Sequence, residues 1–186
     1  MTNPRDYIVT DTLKDGTTVT IRGIRLDDSA KVVEAFTNLG RESIYTRFFT
    51  YKRHLSETEL RQVTDVDFDH VVALVVTTRT ENGETIIAEG RYVTDDAPRP
   101  CRTAEVAFTT EENYQGRGIA RLLLQHLVRI ARENGVSRLE ANVLAGNQPM
   151  LSVFRRSGLP IQQRSESGVV YVTLLLAAEN SGGPSR

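Results

Sequence analysis

Long apolar runs are missing from this sequence, and so is any large excess of charge. No stretch approaches membrane-spanning length, and the N-terminus, Met-Thr-Asn-Pro-Arg-Asp-Tyr, lacks the apolar core of a signal peptide. With a net charge of −1, nothing suggests a general nucleic-acid or membrane surface. Cysteine is down to one residue, Cys101, so no internal disulfide can form and a thiolate metal cluster is excluded. His54, His70 and His126 do not have metal-ligand spacing, and no metal is expected. There is no internal repeat. What is present is ordinary for a globular domain: 186 residues, 39% hydrophobic and 25% charged, enough for one domain with a sizeable core. Together these features lead us to expect a cytoplasmic protein.

The element order follows from periodicity and punctuation. Residues 1–16 read as an N-terminal lead-in, with Asp15-Gly16 as a turn. Thr17 to Arg25 alternates β-branched and polar residues and reads as the first strand. Asp27 or Asp28 can cap a helix carrying Ala30, Val33 and Phe36 at helical spacing. The aromatic-rich segment Glu42 to Phe49 reads as a second short helix, and Ser56-Glu57-Thr58-Glu59 has capping-box spacing for a third. Three strands then form a meander: Val71 to Thr78, Thr85 to Val93 after an Asn82-Gly83 turn, and Arg102 to Thr109. A long amphipathic helix runs from about Gly116 to Asn134, with Ile119, Leu122, Leu123, Leu127, Ile130 and Ala131 on one face. A strand from Ser137 to Leu144, a helix capped by Asn147, and two strands joined at Ser167-Gly168 complete the domain. The fold class is α+β with a mixed, mostly antiparallel sheet. The domain spans 17–177, and residues 178–186 read as a disordered tail.

The stretch Ala104 to Arg121 carries the chemistry. A strand leads through a polar loop into Gln115-Gly116-Arg117-Gly118-Ile119-Ala120-Arg121, which opens the long helix. Each glycine there costs roughly 1 kcal/mol of helix propensity. Arg117 and Arg121 sit at the positive end of the helix dipole, where acidic residues are preferred. Both choices harm an isolated helix, and both suit a phosphate bound to the backbone at the helix start. The Gly-x4-Gly-Lys-Ser/Thr loop is absent, and the third glycine of Gly-x-Gly-x-x-Gly is missing.

What remains, Gln-x-x-Gly-x-Ala at Gln115, Gly118 and Ala120 directly after a strand, resembles the GNAT superfamily of acyl-CoA-dependent N-acyltransferases. The order of elements from residue 17 to 176 matches that fold. Glu42 to Phe49, Leu55 to Leu60 and Val66 to Asp69 narrow the resemblance to bacterial protein-lysine acetyltransferases that modify acyl-CoA synthetases. The resemblance implies acetyl-CoA as cosubstrate and a protein lysine as acceptor, with a small-molecule amine acetyltransferase or a non-catalytic CoA-binding module as alternatives. It implies Glu105 as general base, from the Ala-Glu-Val segment. It assigns the backbone of Val106, Ala107 and Phe108 to the pantetheine arm. It also gives Gln115, Gly116, Arg117, Gly118, Ile119, Ala120 and Arg121 to the pyrophosphate. Asn147 reads equally as a helix cap and as a cofactor contact. Phe154 is counted with the cofactor-binding residues; it stands where many members carry a tyrosine acid, so no side-chain acid of that kind is expected. Tyr45, Phe48 and Phe49 read as core or as lining of the acceptor cleft. Arg155 and Arg156 read as solvated, with a possible reach to the 3′-phosphate of CoA.

Overall fold

The structure is a computed structural model and describes residues 3–40, 54–81, 83–98 and 102–176. Its strands are β1 (Ile8–Thr12), β2 (Thr18–Gly23), β3 (Val71–Thr80), β4 (Gly83–Thr94), β5 (Arg102–Thr110), β6 (Val136–Leu144), β7 (Ile161–Glu166) and β8 (Val169–Leu175). Among the described residues the α-helices are α1 (Ser29–Thr37), α2 (Glu57–Thr64), α3 (Ile119–Glu133) and α4 (Gln148–Arg155). The strands form one sheet in the order β1-β2-β3-β4-β5-β6-β8-β7. All neighbours are antiparallel except β5 and β6, which run parallel. The mixed, mostly antiparallel sheet expected from the sequence is what forms.

Helices cover both faces of the central strands, which explains the unbroken apolar run of β3. Val72, Ala73, Leu74, Val75 and Val76 are all fully buried. The alternation of β4 separates the two layers. A Cβ at Gly90 would meet Phe108 of β5 and Leu127 of α3, whereas Arg91 donates to the Val63 carbonyl of α2 at 3.1 Å. So α3 packs on one face, and α1 and α2 on the other. Ile119, Leu123, Leu127, Ile130 and Ala131 of α3 are buried as their spacing requires. Leu124 and Val128 widen that face, and Leu122 is only partly buried.

Several local signals fold as read. Ser56 Oγ accepts from Glu59 N, and the Glu59 carboxylate returns to Ser56 N at 3.0 Å, starting α2. Ser167-Gly168 closes Glu166 onto Val169.

Two expectations need correction. The sheet begins at Ile8, not Thr17: β1 pairs with β2 from Ile8↔Arg22 to Thr12↔Thr18, so the stretch before Thr17 is more than a lead-in. Ile8, Thr10 and Thr12 are exposed while Val9 and Asp11 are only half-buried, so the segment has no apolar face to betray it. Asp28 stands at the start of α1 but does not cap it. Its carboxylate binds Arg22 through two 2.7 Å hydrogen bonds, with both side chains almost fully buried. The predicted helix at Glu42–Phe49 and the tail lie outside the described residues.

Candidate active site

The polypeptide reverses sharply between β5 and α3. Gly116 and Gly118 adopt φ values of 74° and 90°, the left-handed region that an L side chain enters only with strain. No neighbour occupies the space beside Gly116, so backbone conformation rather than crowding calls for glycine. Gly118 is the N-cap of α3 and has no side chain to cap it, and the first turn contains no acidic residue. Leu122 N is bonded to Gly118 O, so the N–H groups of Ile119, Ala120 and Arg121 lie ahead of the first intrahelical bond. The helix therefore starts at Gly118 rather than Gly116, and the N–H groups of its first turn have no backbone partner among the described residues, an arrangement that suits an anion.

Those residues line a cleft of about 780 Å³ running between β5 and α4. The cleft is made by the one parallel pairing in the sheet. The β5–β6 ladder stops at Glu105↔Glu140, although β6 continues to Leu144 against β8 and β5 to Thr110 against β4. Asp95 N donates to Thr103 O at one end of the β4–β5 ladder, and Glu111 N to Ile87 O at the other. Antiparallel alternation between these bonds commits the backbone of Glu105, Ala107 and Thr109 to β4. The backbone of Val106, Phe108 and Thr110 turns the other way, into the gap that β6 leaves. Gln115 Nε2 takes the Thr110 carbonyl at 3.2 Å, which ties the turn to the end of the slot. From Glu105 to Thr110 the slot is about 17 Å long at the usual rise per residue.

The predicted site residues divide accordingly. Gln115, Gly116, Gly118, Ile119, Ala120, Arg121, Phe108 and Asn147 all line the cleft. Val106 presents backbone to the slot; Ala107 does not, because its backbone lies in the hydrogen-bonded register with Arg91. Arg117 turns away from the cleft: it is ion-paired with Asp15 of the β1–β2 turn, donates to the Asn113 carbonyl at 2.7 Å, and lies over the Tyr114 ring. Asp15 is held below the ordinary carboxylate range first by the Thr17 backbone N–H, then by the Thr17 hydroxyl and by Arg117. Phe154 is 1% exposed and packs against Phe108 in the core instead of lining the cleft. Asn147 caps α4, its Oδ1 accepting from Met150 N at 3.2 Å, and the residue also borders the cleft. Arg156 lines the cleft, while Arg155 turns towards Gln163. No motif pointed to Lys14, which reaches the cleft from the β1–β2 turn.

Glu105 sits where the slot begins. Residues paired across antiparallel strands share a face, so Glu105, Ala107 and Thr109 point their side chains to the α1/α2 face with Arg91. Thr109 borders an apolar pocket of about 70 Å³ there, formed by Phe36, Leu39, Leu55, Val63 and Ile87 with Glu89 and Glu111 at its polar end. Tyr45, Phe48 and Phe49, read as core or as lining of the acceptor cleft, lie outside the described residues. The carboxylates on this face differ in commitment. Glu89 is ion-paired with Arg91, and Glu111 is buried and accepts from Asn113 at 2.8 Å. Glu105 is exposed and has no hydrogen-bond or ion-pair partner among the described residues.

Comparison with known proteins agrees with this geometry. The acetyltransferase (GNAT) family model matches residues 41–159. The acetyltransferase Pat of Mycolicibacterium smegmatis is 31% identical over 152 residues, covering 81% of this chain and 43% of that protein. The chain therefore spans less than half the length of that relative. The acetyltransferase PA5475 of Pseudomonas aeruginosa is 27% identical over 75% of this chain and 74% of its own length. Among solved structures, the GNAT domain of S. lividans PAT superposes with a TM-score of 0.81 at 35% identity, covering 90% of this chain and 96% of that one. The family match, the mixed sheet and the parting of β5 from β6 above a glycine turn agree: the chain belongs to the acetyltransferase (GNAT) family.

Proposed function

We propose that this chain transfers an acetyl group from acetyl-CoA to a lysine amine of a protein substrate, with an acyl-CoA synthetase as the substrate to test first. The observation that carries the reading is the slot that opens at Glu105 and ends at the uncapped start of α3. Its two ends suit the two halves of an acyl-CoA. Open N–H groups and Arg121 suit the pyrophosphate, and the outward-facing backbone of Val106 and Phe108 suits the amide-rich pantetheine arm. A thioester at the Glu105 end would lie beside backbone N–H groups able to stabilise an oxyanion.

The amine enters from the α1/α2 face. A lysine amine has a solution pKa of about 10.4, so it must lose a proton before it attacks. Glu105 accepts that proton directly or through a water. The nitrogen forms a bond to the carbonyl carbon and gives up its second proton to water, the carbon–sulfur bond breaks, and the departing thiolate takes a proton from water. Phe154 is buried in the core and offers no acid. Exposure of Glu105 on an open strand favours a lysine presented by a protein over a small amine sealed in a pocket. Similarity to proteins named Pat and PAT supports the same choice. The test is incubation with acetyl-CoA and candidate acyl-CoA synthetases, reading modified lysines by mass spectrometry. Acetylation at discrete lysines is expected. Turnover of small amines with no modified protein would replace this reading by a small-molecule acetyltransferase, and binding of CoA without any transfer would replace it by a CoA-binding module.

A further inference from the structure

We propose that Lys14 is a diphosphate-binding residue of this site, held in place by the Asp15–Arg117 ion pair. The inference rests on the reading of the cleft as an acetyl-CoA site and adds to it a residue from the opposite end of the chain.

Lys14 belongs to the tight turn between β1 and β2. Leu13 N donates to Thr17 O at 2.9 Å, Gly16 N to Leu13 O at 3.0 Å, and Thr17 N to Asp15 Oδ1 at 3.0 Å. The turn thus has its own geometry, but nothing within it dictates where Lys14 points. That is decided by Arg117, whose guanidinium joins Asp15 to the Asn113 carbonyl and so binds the β1–β2 turn to the glycine turn across 102 positions of sequence. Lys14 then lies along the start of α3. A methyl group on Gly118 would stand 3.6 Å from Lys14 Cε, and Lys14 lines the same cleft as Gly116, Gly118 and Arg121. Its ammonium is exposed and has no hydrogen bond or ion pair among the described residues.

An unpaired ammonium beside open helix N–H groups is a poor arrangement for an empty protein, since the like-signed partial charge of the helix start repels it. An anion between the two reverses the sign of that interaction. The exchange with Arg117 has a physical logic. Arg117 is spent on an internal carboxylate, so its charge is no longer available to the phosphates, and the ion pair it makes delivers Lys14 in its place. Glu112 also borders the cleft, so each cation there offsets a carboxylate as well as the ligand.

The test is calorimetric titration of the whole chain, which needs no acceptor. CoA and dephospho-CoA are the ligands, because both carry the diphosphate and only CoA carries the 3′-phosphate. For Lys14→Gln the Kd of both ligands should rise about three- to tenfold, the range for one exposed charge-assisted contact. Lys14→Arg should restore most of the loss, and the melting temperature without ligand should stay unchanged. Asp15→Ala should weaken binding less than Lys14→Gln does, and the double variant should bind no worse than Lys14→Gln alone, because the ion pair acts through Lys14. Unchanged Kd in Lys14→Gln overturns the inference. So does a loss confined to CoA, which would move the contact to the 3′-phosphate, or a loss that Lys14→Arg does not repair. A wild-type chain that binds neither ligand would overturn the acetyl-CoA reading of the cleft as well, so the two failures are distinct.

Discussion

Two charged regions of this molecule are built on opposite plans. Around the β2–α1 junction, the buried charges are answered from within. Arg22 donates to Asp28 and Glu84, Lys31 donates to Glu84 at 2.6 Å, and Thr77 adds a hydrogen bond to Glu84 at 2.9 Å. At the start of α3 the donors of the first turn and the ammonium of Lys14 have no partner among the described residues. Burial explains the first plan, since an unpaired charge where Arg22 and Asp28 lie would cost several kcal/mol. The second plan makes sense only if the partner arrives from solution. Glu105 extends the contrast, being the carboxylate that its neighbours leave unpaired while Glu89 and Glu111 are engaged.

The sharpest way to break this comparison is at Glu105. Glu105→Gln should lower acetyl transfer about 10²- to 10⁴-fold and leave the Kd for acetyl-CoA unchanged, as measured by steady-state rates and calorimetry. Unchanged transfer would remove it as the base. The same kind of substitution in the closed network should do the reverse. Asp28→Ala leaves the buried Arg22 only its longer bonds to the half-exposed Glu84 and should cost about 3–5 kcal/mol of stability in denaturant unfolding, with near-normal turnover from the molecules that remain folded. A loss below 1 kcal/mol would show that water reaches Arg22 and that the network is less closed than it looks. Gly118→Ala forces a Cβ into a left-handed conformation, at about 1–2 kcal/mol. Binding of CoA should weaken roughly tenfold as the turn shifts, and a variant binding at wild-type strength would dissociate the turn from the cofactor.

The smallest expected effect concerns pH. Hydrogen bonds from Arg22, opposed by burial and assisted by Lys31 and Thr77, hold the Glu84 carboxyl down to about 2. Asp28 is also lowered, because Arg22 and the Arg25 N–H outweigh the burial that alone would raise it. A depressed folded-state pKa stabilises the protein above the unfolded value of about 4 and loses that contribution as pH falls towards the folded value. Acid unfolding followed by circular dichroism should therefore show stability falling between about pH 4.5 and 2. In Glu84→Gln that slope should be shallower. An identical slope would mean that the network's protons are taken up elsewhere.

Much of this contrast was legible before any coordinates. The glycines at 116 and 118 stand out as poor helix formers that suit close approach of a phosphate, and Gln115 with Ala120 marks the helix start that follows. Ser56 and Glu59 define the α2 cap through bonds that span three residues. These features were readable because local geometry alone produces them. Arg117 and Lys14 were not, because the interaction that exchanges their roles joins residues 102 positions apart. The same holds for Ala107. Its neighbours carry the right residue types, but only the register against Arg91 reveals which way its backbone faces. Phe154 was read as a cleft residue from its place in α4, and packing against Phe108 put it in the core. Asp28 looked like a cap by type and position, until Arg22 on β2 claimed its carboxylate.

The sequence by itself determined the sheet class, the approximate place where α3 begins and the capping box of α2, because propensity and capping act over a few residues. The tertiary structure alone decided where β5 and β6 part, which backbone groups that parting exposes, and which cations face the cleft. Those depend on strand register and on ion pairs between distant segments, and no local pattern encodes either.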